Sequence, residues 1–137
     1  MGAIGSLVNH SEHQLPLPQI KKTIDRLRAL GMLSVACAST PAMAVNIAKF
    51  NPDIIAIEPP ELIGGDIAVS QAKPQVITQT TSRIRNIPVL CGAGVKTKDD
   101  VVKSIKLGAK GILVASGVTN AKNPEKVLTE LVRGFKE

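Results

Sequence analysis

The sequence has 137 residues, 44% of them hydrophobic, with a formal net charge of +6. That length fits one domain able to bury a core, and neither a leader segment nor an apolar run of roughly 18–20 residues is seen, so a cytosolic protein with no membrane partner is expected. Lys and Arg are scattered along helical stretches and the only aromatics are Phe50 and Phe135; the basic charge therefore reads as a solvated face or an anionic small ligand, not as nucleic-acid binding.

Five short apolar runs punctuate the chain: Ile4–Val8, Leu33–Ala36, Ile54–Ile57, Pro88–Cys91 and Ile112–Ala115. Unbroken apolar runs of this length suit strands covered on both faces, as in a parallel sheet. After the first run, Ile20, Ile24, Leu27 and Leu30 share one helical face, with Pro18 near the first position and Gly31 as the stop. Thr40-Pro41 opens a second helix, carrying Val45 and Ala48 and ended by Asn51-Pro52. Pro74 begins a third, with Val76, Ile77, Thr80 and Ile84 inward. Thr97 caps a fourth whose first turn holds Asp99 and Asp100, where the helix dipole favours negative charge. Asn123-Pro124 opens the last, with Val127, Leu128, Leu131 and Val132 expected to face inward.

This alternation argues for an α/β fold of parallel strands joined by right-handed crossovers. A doubly wound sheet and a barrel share the pattern, and periodicity does not separate them. Cys37 and Cys91 lie in apolar runs and read as reduced, buried small hydrophobes.

The residues after each run are polar or small: Asn9-His-Ser-Glu-His13, Ser39-Thr40, Glu58-Pro-Pro, Gly92-Ala-Gly94 and Ser116-Gly117. Parallel sheets and barrels carry their sites at the C-terminal strand ends, so His10, Glu58 and the two glycine-bearing turns should converge on one mouth. Glu58 stands where a strand leaves the sheet, beside a Pro- and Gly-rich loop; a partly dehydrated carboxyl group there suits proton transfer, although a surface Glu capping a strand would look the same. The glycine turns can direct backbone N–H groups at an anion, but glycine after a strand is also ordinary turn chemistry. A lone His10 is more often a satisfied structural histidine, and with His13 it has no Cys or further His to complete a metal site, so no metal is expected. A base, an electrophile and an anion clamp together suggest proton abstraction beside the carbonyl of a phosphorylated substrate.

Asn9-His10-Ser11-Glu12, Glu58-Pro59 with Ile63-Gly64, Cys91-Gly-Ala-Gly-Val95 and Leu113-Val-Ala-Ser-Gly117 resemble, in this order, the triosephosphate isomerase family in its shorter archaeal form. The resemblance implies a partial (β/α)8 barrel, units four to eight, within a single domain over residues 1–137. It makes Glu58 the base and neutral His10 the group that polarises the carbonyl, a pairing for which this enzyme is a standard worked case. Asn9, Ser11 and Glu12 become partners that hold the site in register, and residues 59–69 become a lid that excludes water. Phosphate would be held by backbone around Ile63 and Gly64, at Gly94, and at Ala115 and Ser116. The implied reaction interconverts dihydroxyacetone phosphate and glyceraldehyde 3-phosphate, with no metal or cofactor. The resemblance also implies that a first strand bearing an Asn and a catalytic Lys belongs to units preceding these. Open strand edges would then favour self-association or an N-terminal complementing fragment. Asp66 sits where the family has a second lid-tip glycine, and its charge would weaken closure over a phosphate.

Overall fold

The computed structural model describes residues 2–65 and 67–136; Asp66, and the expectation attached to it, lie outside the described residues. Five strands form one sheet: β1 (Gly5–Val8), β2 (Leu33–Ala38), β3 (Ile54–Ile57), β4 (Val89–Cys91) and β5 (Gly111–Ile112). They pair in sequence order β1-β2-β3-β4-β5, every pair parallel. This order decides between the two topologies left open above. A doubly wound sheet reverses its strand order at a switch point, whereas successive right-handed crossovers in one direction place every helix on the same side. The sheet is the five-unit arc of a (β/α)8 barrel.

The helices that follow the strands are α1 (Leu17–Ala29), α2 (Pro41–Ala48), α3 (Val69–Ala72), α4 (Pro74–Arg83), α5 (Lys98–Lys106), α6 (Ser116–Thr119) and α7 (Pro124–Arg133). Their starts follow the local chemistry: Pro occupies the first turn of α1, α2, α4 and α7, and the side chains of Thr40, Thr97 and Asn123 accept first-turn N–H groups. The core lies between sheet and helices. Val8, Ala36, Ile55 and Val89 align across the sheet, as do Ala38, Ile57 and Cys91, and both rows pack against Ile20, Ile24, Ile47, Ile77, Val101 and Leu131.

The opposite face of the arc is less covered. Leu7, Val35 and Ile54 are aligned there, with Leu33 one step earlier, and Leu7 and Leu33 remain 48% and 45% exposed. In a closed barrel this face is filled by side chains from all eight strands. Among the described residues β1 and β5 are paired on one side only.

Three inward assignments and one strand boundary need correction. Leu128 and Val132 on α7 are 51% and 48% exposed; with Phe135 they form an apolar stripe outside the packed face, and only Leu131 is buried there. Leu30 lies past the end of α1, where the chain turns at Gly31, and is exposed. On α2 the deeply buried residues are Ala44 and Ile47, while Val45 and Ala48 are partly covered. The fifth strand is two residues long, Gly111–Ile112, instead of reaching Ala115. Its outer edge lacks a pairing partner among the described residues, so nothing extends the ladder.

Candidate active site

Glu58 continues β3 by donating its N–H to the carbonyl of Ala38 at 2.9 Å, then the chain turns into Pro59-Pro60. Its side chain is buried, and Oε2 has no hydrogen-bond partner. A buried carboxylate oxygen without a donor is costly in a fold that otherwise satisfies its polar groups, and such an exception points to chemistry rather than stability. Gly92 lies against it: a Cβ built there would fall 2.5 Å from Glu58 Oε1 and 2.6 Å from Cγ. The thiols of Cys37 and Cys91 are close by. Burial, followed by the charge of Glu58 and a hydrogen bond with it, pushes the Cys37 thiol far up. Burial likewise raises Cys91 to about 11, so both stay protonated and unreactive, as the apolar runs suggested.

His10 is placed by the turn after β1. Asn9 adopts a left-handed backbone (φ 63°), which Asn tolerates better than most residues. Its buried amide donates to the carbonyl of Cys37 at 2.9 Å and accepts from the N–H of Leu15 at 2.8 Å, fixing residues 9–15 against β2. His10 then caps a 3₁₀ turn, Ser11–His13, with its Nδ1 accepting the N–H of Glu12 at 3.3 Å. An acceptor at Nδ1 assigns the proton of the neutral ring to Nε2. Nε2 lies 3.8 Å from Glu58 Oε2.

The two side chains share a cleft of about 470 Å³, also lined by Leu7, Glu12, Ile63, Gly64, Gly94, Lys96, Ala115 and Ser116. Gly64 and Gly94 both have left-handed φ, 69° and 72°. Ala115 precedes the short helix α6, and the first N–H groups of a helix have no partner within it. Ser11 lines a small adjoining void with Asn9, Cys37 and Glu58. Glu12 meets His10 through its backbone, while its carboxylate is 85% exposed and 3.8 Å from Nδ1. The structure thus brings all the sequence-nominated residues to one end of the arc. Lys96, which lines the cleft, was missed; Gly92 was expected at the mouth as part of a turn, but not as the residue packed against the Glu58 side chain.

Residues 59–65 and 67–68 lie at the mouth, where Ile63, Gly64 and Gly65 line the cleft. Their first half is a 3₁₀ turn, Pro60–Leu62, with Glu61 paired to Lys73. Ile67 and Val69 meet the loop after β4: the Ile67 carbonyl lies against Gly94, and the N–H of Val69 donates to the carbonyl of Ala93 at 3.2 Å. Among the described residues, no group of three or more His, Cys, Asp and Glu is placed to hold a metal, and no helix is long and apolar enough to cross a membrane.

The family model described as triosephosphate isomerase matches residues 1–134. The triosephosphate isomerase of Archaeoglobus fulgidus is 47% identical over 135 residues, covering 96% of this chain and 60% of that protein. The triosephosphate isomerase of Cenarchaeum symbiosum is 44% identical, covering 98% of this chain and 62% of that protein. Among solved structures, thiamine phosphate pyrophosphorylase from Pyrococcus furiosus superposes with a TM-score of 0.74 at 19% identity, covering 98% of this chain and 60% of its own. N-acetylmannosamine-6-phosphate 2-epimerase from Clostridium perfringens gives 0.62 at 19% identity, covering 85% of this chain and 48% of its own. At such identities these two show the fold alone. This chain belongs to the triosephosphate isomerase family, and it spans about 60% of the length of these curated archaeal relatives.

Proposed function

We propose that these residues are the C-terminal part of a triosephosphate isomerase and carry its proton-transfer groups. The supporting observation is the His10 Nε2–Glu58 Oε2 approach of 3.8 Å inside a cleft bordered by Gly64, Gly94 and Ser116. Glu58, as carboxylate, removes a proton from the carbon beside the carbonyl of dihydroxyacetone phosphate. The Nε2–H of neutral His10 donates to the carbonyl oxygen as it gains charge, giving an enediol(ate). Protonation of the neighbouring carbon by Glu58 then yields glyceraldehyde 3-phosphate, with no cofactor in the cycle. Backbone N–H groups at Gly64, Gly94, Ala115 and Ser116 hold the phosphate dianion, and residues 59–69 close over it, which prevents loss of phosphate from the intermediate. Asn9, Ser11 and the backbone of Glu12 keep the imidazole aimed at the carboxylate. The cationic Lys comes from N-terminal units outside this sequence, as a complementing fragment or the rest of a longer chain.

A second reading is a catalytically incomplete, phosphate-binding half-barrel that assembles with itself or a partner. The half-exposed inner face at Leu7 and Leu33 favours it. Measuring isomerisation with this chain alone, then with an added N-terminal piece of a relative, separates the two. Activity appearing only in the mixture, and lost in Glu58→Gln while phosphate binding is kept, supports the isomerase. No activity in the mixture would overturn it; full activity of this chain alone would overturn the need for the Lys-bearing units.

A further inference from the structure

The mechanism above makes no use of Asp100, although it is the most completely hydrogen-bonded buried carboxylate among the described residues. It is 2% exposed, at the third position of α5. Oδ2 accepts the N–H groups of Lys96 (3.1 Å) and Thr97 (2.9 Å), closing a capping box with the Thr97 hydroxyl. A cap needs only this much. Oδ1, however, accepts the side-chain amide of Gln71 at 2.6 Å, and the Asp100 carbonyl accepts the Ser70 hydroxyl at 3.4 Å. Gln71 and Ser70 belong to α3, which begins where the loop across the mouth ends. Two backbone contacts run in parallel. Val69 donates to Ala93, and Gly94 packs so tightly on the Ile67 carbonyl that an added Cβ would lie 2.3 Å from its oxygen.

We propose that Gln71 and Asp100 are positioning residues that clamp the 93–97 loop to the C-terminal hinge of the lid, so that phosphate seated on one holds the other. The inference rests on the phosphate cradle proposed above. Asp100 fixes the loop from below through Lys96 and Thr97, and Gln71 carries that position to residues 67–72. Burial opposes the charge of Asp100, but the Gln71, Lys96 and Thr97 donors outweigh it and hold the carboxyl below its usual range. The bridge therefore stays ionised at neutral pH.

Because Asp100 also caps α5, Gln71, which is exposed, is the partner to change. Gln71→Met keeps the length and removes the donor, while Gln71→Lys restores a donor to Oδ1. Amide hydrogen exchange is followed at residues 67–72 and 93–97 with and without inorganic phosphate. The clamp predicts that Gln71→Met exchanges at least five-fold faster at 67–72, with an unchanged melting temperature, and that Gln71→Lys returns towards wild type. It further predicts that phosphate slows both segments in the wild type and only 93–97 in Gln71→Met. Unchanged exchange at 67–72 in phosphate-free Gln71→Met, or failure of Gln71→Lys to restore it, would overturn the clamp. Wild-type protein in which phosphate slows neither segment would overturn the cradle and the clamp's role in binding, while the phosphate-free comparison still judges the physical tie.

Discussion

Replacing Gly92 by Ala tests how the Glu58 side chain is held. The new Cβ would lie 2.5 Å from Oε1, 2.6 Å from Cγ and 2.9 Å from Cδ of Glu58. Rotating the carboxylate alone relieves the first contact but not the second, because Cγ moves only if the whole side chain changes χ1. Glu58 is buried and its neighbours Cys37, Ala56, Ile57 and Cys91 are fully covered, so it has no apolar slack to move into. Its open direction is the cleft, which carries the carboxylate across the position where the substrate would lie. Overpacking of this kind costs about 1–3 kcal/mol, which for a domain of this size lowers the melting temperature by roughly 3–12 °C. A reacting group displaced by about 1 Å loses on the order of 100-fold in turnover. The assay is isomerase turnover of this chain completed by the N-terminal piece of a relative, with thermal melting of the same samples. Gly92→Ala should lower kcat by about 100-fold, because the displaced carboxylate no longer sits where the proposed base must act. Wild-type turnover and melting in Gly92→Ala would refute the reasoning, because the clash would then have been absorbed without moving the base.

Other outcomes follow from the same geometry. Asn9→Ala removes the donor to Cys37 and the acceptor for Leu15 and leaves Ala at φ 63°; it should destabilise by about 2–4 kcal/mol in chemical denaturation. Asp53 is held below the usual carboxylate range, first by the Ser34 N–H and then by the Ser34 hydroxyl. A depressed folded pKa means the unfolded chain binds more protons, so this stabilisation is present above the ordinary value of 3.8 and is lost as pH falls below it. Asp53→Asn should accordingly melt with a shallower pH dependence below that value than wild type, and an identical slope would contradict the assignment. Changing both Leu128 and Val132 to Lys should leave the melting temperature of this chain within experimental scatter and weaken binding of an N-terminal complementing piece, read by titration; loss of the fold instead would place the stripe in the core.

Much of this architecture was legible because strand runs such as Ile54–Ile57 are bounded by strong turn chemistry, and because Pro41, Pro74 and Pro124 mark helix starts. Local pattern left the choice between a doubly wound sheet and a barrel arc open, since that depends on strand order, a long-range property. Leu128 and Val132 show a different limit. Their spacing with Leu131 marks apolar positions on neighbouring sides of one helix, but periodicity does not say which of them the core covers: Leu131 is buried and the other two are exposed. The helices α3 and α6 have four residues each and offer no period to detect. At the site, His10 and Glu58 stood out by residue type and position after a strand. Gly92 did not, because its significance depends on the Glu58 rotamer. Asp100 was legible as a favourable charge near a helix start; its bridge to Gln71, 29 residues away in sequence, was not.

The central claim is that Glu58 moves a carbon-bound proton with His10 beside it. Its most direct test is incorporation of solvent deuterium into dihydroxyacetone phosphate, followed by NMR in D2O with this chain and the N-terminal piece of a relative. The account predicts exchange at the carbon beside the carbonyl in the wild type, and a rate at least about 100-fold lower in Glu58→Gln. Equal exchange in the two proteins would contradict it, because another group would then be removing the proton.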